Sequence, residues 1–184
     1  MPEGAEDVAQ QMFLRLVTVG DGADNTRRRV LQSELEDLAV DRSLLDSVLE
    51  SFGRRRLLSF DRDPVTRGPT VEISHEALLT EWARLATWID SARVDLAHQR
   101  RLAEAIREWN ASDRREDFLL SGGRLDEMQT WASETPMMLS VPEAKFLEAS
   151  ALARDTLIEA DQQQSERTAQ ALRNEAQRLS LIHI

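Results

Sequence analysis

Between Asp7 and Val19 the apolar residues Val8, Met12, Phe13, Leu16 and Val17 recur at intervals of three and four. That spacing predicts an amphipathic helix, ended by Gly20, Asp21 and Gly22. Ser33 followed by Glu36 has the spacing of a capping box before a short helix carrying Leu35 and Leu38. A third helix is expected to turn Leu44, Leu45, Val48, Leu49 and Phe52 inward and to stop at Gly53. The period then changes: Leu57 to Phe60 and Thr70 to Ser74 are short apolar stretches flanking the polar run Asp61 to Pro69, which predicts a β-hairpin. Three helices and a hairpin form the winged-helix arrangement, a variant of helix-turn-helix.

Ser74 can cap a fourth helix through Leu78, Trp82, Leu85 and Ile89, which ends near Asp90 or runs on. Leu96, Leu102, Ile106 and Trp109 mark another helix, stopped by Asn110, Ser112 and Asp113. Gly122 and Gly123 break the chain before Leu125, Met128 and Trp131 resume helical spacing, and Ser140 with Glu143 gives a second capping-box pattern. Pro142 is tolerated in the first turn of the helix that follows. From Val141 that helix can run for more than thirty residues, but beyond Ala160 only Ala169, Leu172, Ala176 and Leu179 keep an apolar stripe, as in a connector that needs a partner. Leu179 to Ile184, including His183, does not continue the pattern and resembles a translated sequencing-adapter tail. The expected organisation is mainly α: a winged-helix domain over 1–90, a helical bundle over 91–160, and a connector helix with that tail over 161–184.

Composition narrows the chemistry. The 184 residues are 41% apolar and 30% charged, as in a folded protein and unlike a disordered chain. No apolar run approaches a membrane span, and Met1 to Gln10 lacks the layout of a signal peptide, so a cytoplasmic location is expected. Without cysteine there is no disulfide, thiolate metal site or cysteine nucleophile. The net charge of −10 repels nucleic acid and anionic membranes at long range. The lone lysine, Lys145, lies between Ala144 and Phe146, which excludes a Walker-type phosphate loop, and Asn25 replaces the third glycine of a dinucleotide loop after Gly20 and Gly22.

His75-Glu76 begins a zincin motif, but Leu79 stands where the second histidine belongs. His98 lies among Gln99, Arg100 and Arg101 and is expected on a solvated helix face. No G-x-S-x-G elbow occurs. The triplets Arg27 to Arg29 and Arg54 to Arg56 are the natural case for DNA binding. The third helix argues against it, because Asp41, Asp46 and Glu50 outnumber Arg42 and bring negative charge towards phosphates. The triplets instead suit solubility, helix-dipole pairing at Arg54, or docking onto an acidic neighbour. Trp82, Trp88, Trp109 and Trp131 have the spacing of helical core.

Four blocks carry a resemblance: Val71-Glu-Ile-Ser-His-Glu-Ala-Leu-Leu-Thr-Glu-Trp82, Arg101-Leu-Ala-Glu-Ala-Ile-Arg-Glu-Trp109, Leu120-Ser-Gly-Gly-Arg-Leu125 and Phe146-Leu-Glu-Ala-Ser150. In this order, over about residues 5 to 155, they resemble the region following the nucleotide-binding core of novel STAND NTPases, large bacterial signalling or conflict-system proteins often carrying a WD40 propeller. The resemblance implies a regulatory segment with no catalytic residues, metal or cofactor of its own. It implies ATP or ADP held by a preceding NTPase core, a following repeat domain, and homo-oligomeric assembly; nucleic acid is disfavoured and no membrane span is expected in this segment. In related STAND ATPases a histidine followed by an acidic residue, at the end of the winged-helix domain, contacts the β-phosphate of ADP. His75-Glu76 matches that position, and the amides of a Ser74-capped helix would favour an anion there. The simpler alternative is that His75 starts a helix and bonds a neighbouring loop. A stand-alone winged-helix transcription regulator, or a hydrolase using His75, are the rival functions.

Overall fold

The computed structural model describes residues 4–20, 25–38 and 41–182. Helix α1 (Ala5–Arg15) buries Val8, Met12 and Phe13 as the apolar stripe requires. It ends earlier than the stripe suggests. The Leu16 amide closes the last turn on the Phe13 carbonyl, and β-branched Val17 and Val19 pass into strand β1 (Val17–Val19), antiparallel to β2 (Asn25–Arg27). Of the expected stop, Asp21 and Gly22 lie outside the described residues.

Strand β3 (Val30–Leu31) leads directly into helix α2 (Gln32–Glu36). The Ser33–Glu36 capping box does not form. Glu34 instead accepts from the Leu31 amide at 3.4 Å, and Glu36 pairs with Arg42 at 2.7 Å. Helix α3 (Arg42–Arg54) is capped by Asp41, whose carboxylate accepts from the Leu44 amide at 3.0 Å and the Ser43 hydroxyl at 2.6 Å and is thereby held below its ordinary pKa. Leu45, Val48, Leu49 and Phe52 face inward as predicted. Gly53 is not the stop: it lies within the helix, where a Cβ would sit 2.8 Å from the Phe60 ring, and the left-handed residue is Arg56 at φ 57°. The predicted hairpin is present as β4 (Leu58–Arg62) and β5 (Pro69–Ile73), with Leu58 opposite Ile73 and Phe60 opposite Val71. Strand β3 adds to the far edge of β5, giving the order β3-β5-β4.

Ser74 does not cap a helix. Its hydroxyl donates to the Arg56 carbonyl at 2.6 Å and its amide to the Leu57 carbonyl at 3.0 Å, so it belongs to the end of the hairpin. Helix α4 (Leu78–Glu81) starts four residues later, and the backbone breaks at Trp82 (φ −87°, ψ 92°) before α5 (Ala83–Ser91). A second break at Ala92 precedes α6 (Arg93–Ala111). Helix α7 (Gly122–Glu134) opens on the glycines expected to precede it, with Gly122 at φ 52°. Helix α8 (Val141–Ile182) runs for 42 residues, continuing through the first residues of the supposed tail; His183 lies outside the described residues.

The result is mainly helical, with two small antiparallel sheets. Its apolar interior falls into two clusters. The first gathers α1, α3, the β3-β5-β4 sheet and α5 around Phe13, whose ring meets Phe52 and Trp82 edge-on at 5.0 Å each. The second joins α6, α7 and the start of α8 around Leu102, Leu125 and Phe146. Helix α6 spans both, contributing Leu96 to one and Leu102 to the other. From Asp155 to Arg178 every residue of α8 is exposed. No helix of the described residues is long and apolar enough to cross a membrane.

Candidate coupling joint at the start of the long helix

A helix as long and exposed as α8 has a defined direction relative to the rest of the chain only if its first turns are fastened. The fastening is polar and buried. Arg15, at the last turn of α1, donates Nη1 and Nη2 to the two carboxylate oxygens of Glu143 at 2.6 and 2.9 Å, and Nη2 also to the Met138 carbonyl at 2.6 Å. Their side chains are only 8% and 4% exposed, so this is an interior ion pair. Gln99 on α6 donates to Glu143 at 3.0 Å. The predicted capping box completes the carboxylate's partners: Glu143 accepts from the Ser140 amide at 2.7 Å, and the Ser140 hydroxyl accepts from the Glu143 amide at 3.4 Å. Burial pushes the Glu143 carboxyl up. The Arg15 hydrogen bonds and charge, then Gln99 and the Ser140 amide, outweigh it and leave the pKa below its ordinary value.

The segment leading into α8 is held just as closely. Gln11, one turn before Arg15, donates to the Pro136 carbonyl at 3.1 Å and accepts from the Met138 amide at 2.8 Å. Asp95 on α6 accepts from Trp131 Nε1 and the Thr135 hydroxyl, both at 2.7 Å. The Val141 amide donates to the Asp37 carbonyl at 2.9 Å, and Leu38 bridges Ser140. Elements from α1, α2, α6 and α7 thus converge on residues 135–143.

The charged motifs serve mainly as internal ties. Arg27 on β2 donates to the Ile73 and Ser74 carbonyls at 3.0 and 3.2 Å and pairs with Glu76 at 3.1 Å. Arg28 pairs with Glu34 at 2.7 Å. Arg29 pairs with Glu72 at 3.0 Å, whose bond and charge raise the guanidinium pKa while Arg29 lowers that of the carboxyl. Of the second triplet, Arg54 pairs with Glu50 along α3. With Asp46 and Glu50 exposed, the outer face of α3 carries no positive excess.

His75 lies on the turn between β5 and α4, exposed and three residues before the first helical residue. A four-residue helix that starts at Leu78 supplies no dipole to it. Its setting is instead Arg27 and Glu76, paired on one side of the turn. His98 is not on a solvated face: it is half-buried, stacked on Trp131 at 5.5 Å, with Nδ1 3.0 Å from the Val94 carbonyl and Nε2 3.3 Å from Glu127. All four tryptophans pack into the two clusters, although Trp82 occupies the break between helices.

The joint residues Gln11, Arg15 and Gln99 carry no motif, and sequence reasoning passed over them. The available signal was positional: Gln11 and Arg15 share the inward face of α1 with Val8 and Met12, and Gln99 lies between Leu96 and Leu102 on the stripe of α6. A polar residue at such a position needs a buried partner.

The chain is thus mainly helical, with two small sheets and one long, solvent-exposed helix fastened at its base. A family model, Novel STAND NTPase 1, matches residues 1–117, and the chain belongs to that family. The match ends in the 3₁₀ turn Glu116–Phe118, before α7 and α8. No curated protein and no solved structure matches the chain.

Proposed function

We propose that this chain is the regulatory segment of a STAND-type NTPase, transmitting the nucleotide state of a P-loop core to an output domain joined through α8. One observation carries the reading. The buried Arg15–Glu143 pair ties the family-matched region to the base of α8, so a rotation of that region is passed to the long helix. Element order supports a winged-helix identity for the first part, since α2 and α3 lie between β3 and the β4–β5 hairpin, which joins β3 in one sheet and would form the wing. The exposed acids of α3 disfavour the rival role as a free-standing DNA-binding regulator.

ATP or ADP belongs, in this proposal, to the core. The described residues near His75 offer an exposed imidazole and an Arg27 guanidinium already engaged by Glu76 and two carbonyls, which is one contact and no phosphate cradle. His75 would donate a single hydrogen bond to the β-phosphate of ADP and so favour the closed state. A charge-assisted bond of about 1.5–3 kcal/mol corresponds to an affinity change of about ten-fold or more. The test is ADP affinity and assembly state in a protein carrying both core and this segment. His75→Ala is expected to weaken ADP and promote assembly, and unchanged ADP affinity in the folded variant would falsify the phosphate role.

A further inference from the structure

Between β1 and α6 lies a groove of about 230 Å³, bordered on one side by Gln99 of the joint. Arg28, Arg100 and Arg107 line it, and among the described residues no carboxylate does. In a chain of net charge −10 this is a local reversal of sign. Arg100 and Arg107 lie seven residues apart on one face of α6, and both are exposed. Among the described residues neither has an ion-pair partner; Arg100 reaches only the Val19 carbonyl, at 3.4 Å. Arg28 pairs with Glu34 and still borders the groove. Val17, Val19, Leu96 and Ala103 give the lining its apolar part, beside the polar Thr18 and Gln99.

The occupant is constrained by three features. Uncompensated guanidiniums favour carboxylate or phosphate oxygens, which their planar donors meet two at a time. Among the described residues that line it there is no aromatic side chain on which a nucleobase would stack. Among the described residues strand β1 pairs only with β2, so its other edge has no strand partner, and Val17, Thr18 and Val19 all line the groove. Unpaired strand edges accept extended peptides, with alternate side chains turned towards one wall.

We infer that this groove binds an extended acidic peptide segment, its carboxylates on Arg100 and Arg107 and an apolar side chain against Val17 and Leu96. The inference does not depend on the proposed nucleotide role. It is tested by fluorescence anisotropy at low salt, using the full chain and a labelled seven-residue peptide alternating Glu and Leu. Saturable binding is expected, with about ten-fold weaker affinity in Arg100→Ala/Arg107→Ala. Arg54→Ala/Arg55→Ala removes the same charge from another face and should leave affinity unchanged. Equal loss in both double variants would overturn the site in favour of net charge alone. A Gln-Leu peptide binding as well as Glu-Leu would overturn the role of the guanidiniums. Inorganic pyrophosphate binding more tightly than the peptide, and losing affinity in Arg100→Ala/Arg107→Ala, would reassign the groove to phosphates.

Discussion

Replacing Glu143 with alanine removes two hydrogen bonds from Arg15, one from Gln99 and the acceptor of the Ser140 amide in a single change. The main cost is what remains, because the Arg15 guanidinium stays buried without a counter-charge. Breaking a buried pair in this way costs about 3–5 kcal/mol. For a chain of this length each kcal/mol lowers Tm by about 2–4 °C, so the expected fall is about 6–20 °C. Arg15→Met in the same background removes the stranded charge and should recover about 1–3 kcal/mol. Thermal and urea melts of wild type, both single variants and the double variant close the cycle. The pH dependence has a fixed sign. Since folding lowers the Glu143 pKa, its contribution is fully present above the ordinary carboxylate range and is lost as pH falls through the depressed value. A Glu143→Ala loss below about 1 kcal/mol, the scale of a solvent-exposed pair, or strictly additive single variants, would refute the view of the pair as a buried, coupled joint.

Asp95→Ala leaves the Trp131 indole N–H and the Thr135 hydroxyl without their acceptor, and should cost about 1–3 kcal/mol in the same melts. Gly53→Ala should stabilise a Phe60→Ala background by about 0.5–1 kcal/mol through helix propensity, and less in wild type, where the Phe60 ring must move. The isolated chain should release no phosphate from ATP above a His75→Ala control, since it has no loop to cradle phosphates. Anisotropy against random duplex DNA at low salt should show no micromolar binding; steeply salt-dependent binding lost on neutralising Arg54 to Arg56 would contradict the acidic-helix argument.

The long elements were legible because their burial obeys a simple period. Helices α1, α3 and α6 follow apolar stripes, α8 does so only over its first turns, and the hairpin follows the change to extended runs around Asp61 to Pro69. The capping box at Ser140 and Glu143 was visible from spacing alone, but not that its carboxylate also receives Arg15, 128 residues away. Strands of two or three residues leave no periodic trace. Val17 to Val19 fits the helical stripe as well as a strand, and its β-branched residues decided the outcome. His98 and Gln99 were hidden by their neighbours: Arg100 and Arg101 suggest a solvated stretch, yet on a helix each residue takes the environment of its own face. Ser74 was misplaced because a hydroxyl just before a helical pattern can cap it or, as here, bond back to the strand it follows.

Helix α8 is expected to move as one body with the region the family model covers. With no native cysteine, spin labels can be placed singly at Asp46→Cys on α3 and Gln163→Cys on the exposed part of α8. Double electron–electron resonance then measures the distance between them, in this background and with Glu143→Ala added. A single narrow distribution that broadens when Glu143 is removed is the predicted result. A distribution already broad with the joint intact, or one that Glu143→Ala leaves unchanged, would show that the Arg15–Glu143 pair does not fix the direction of α8.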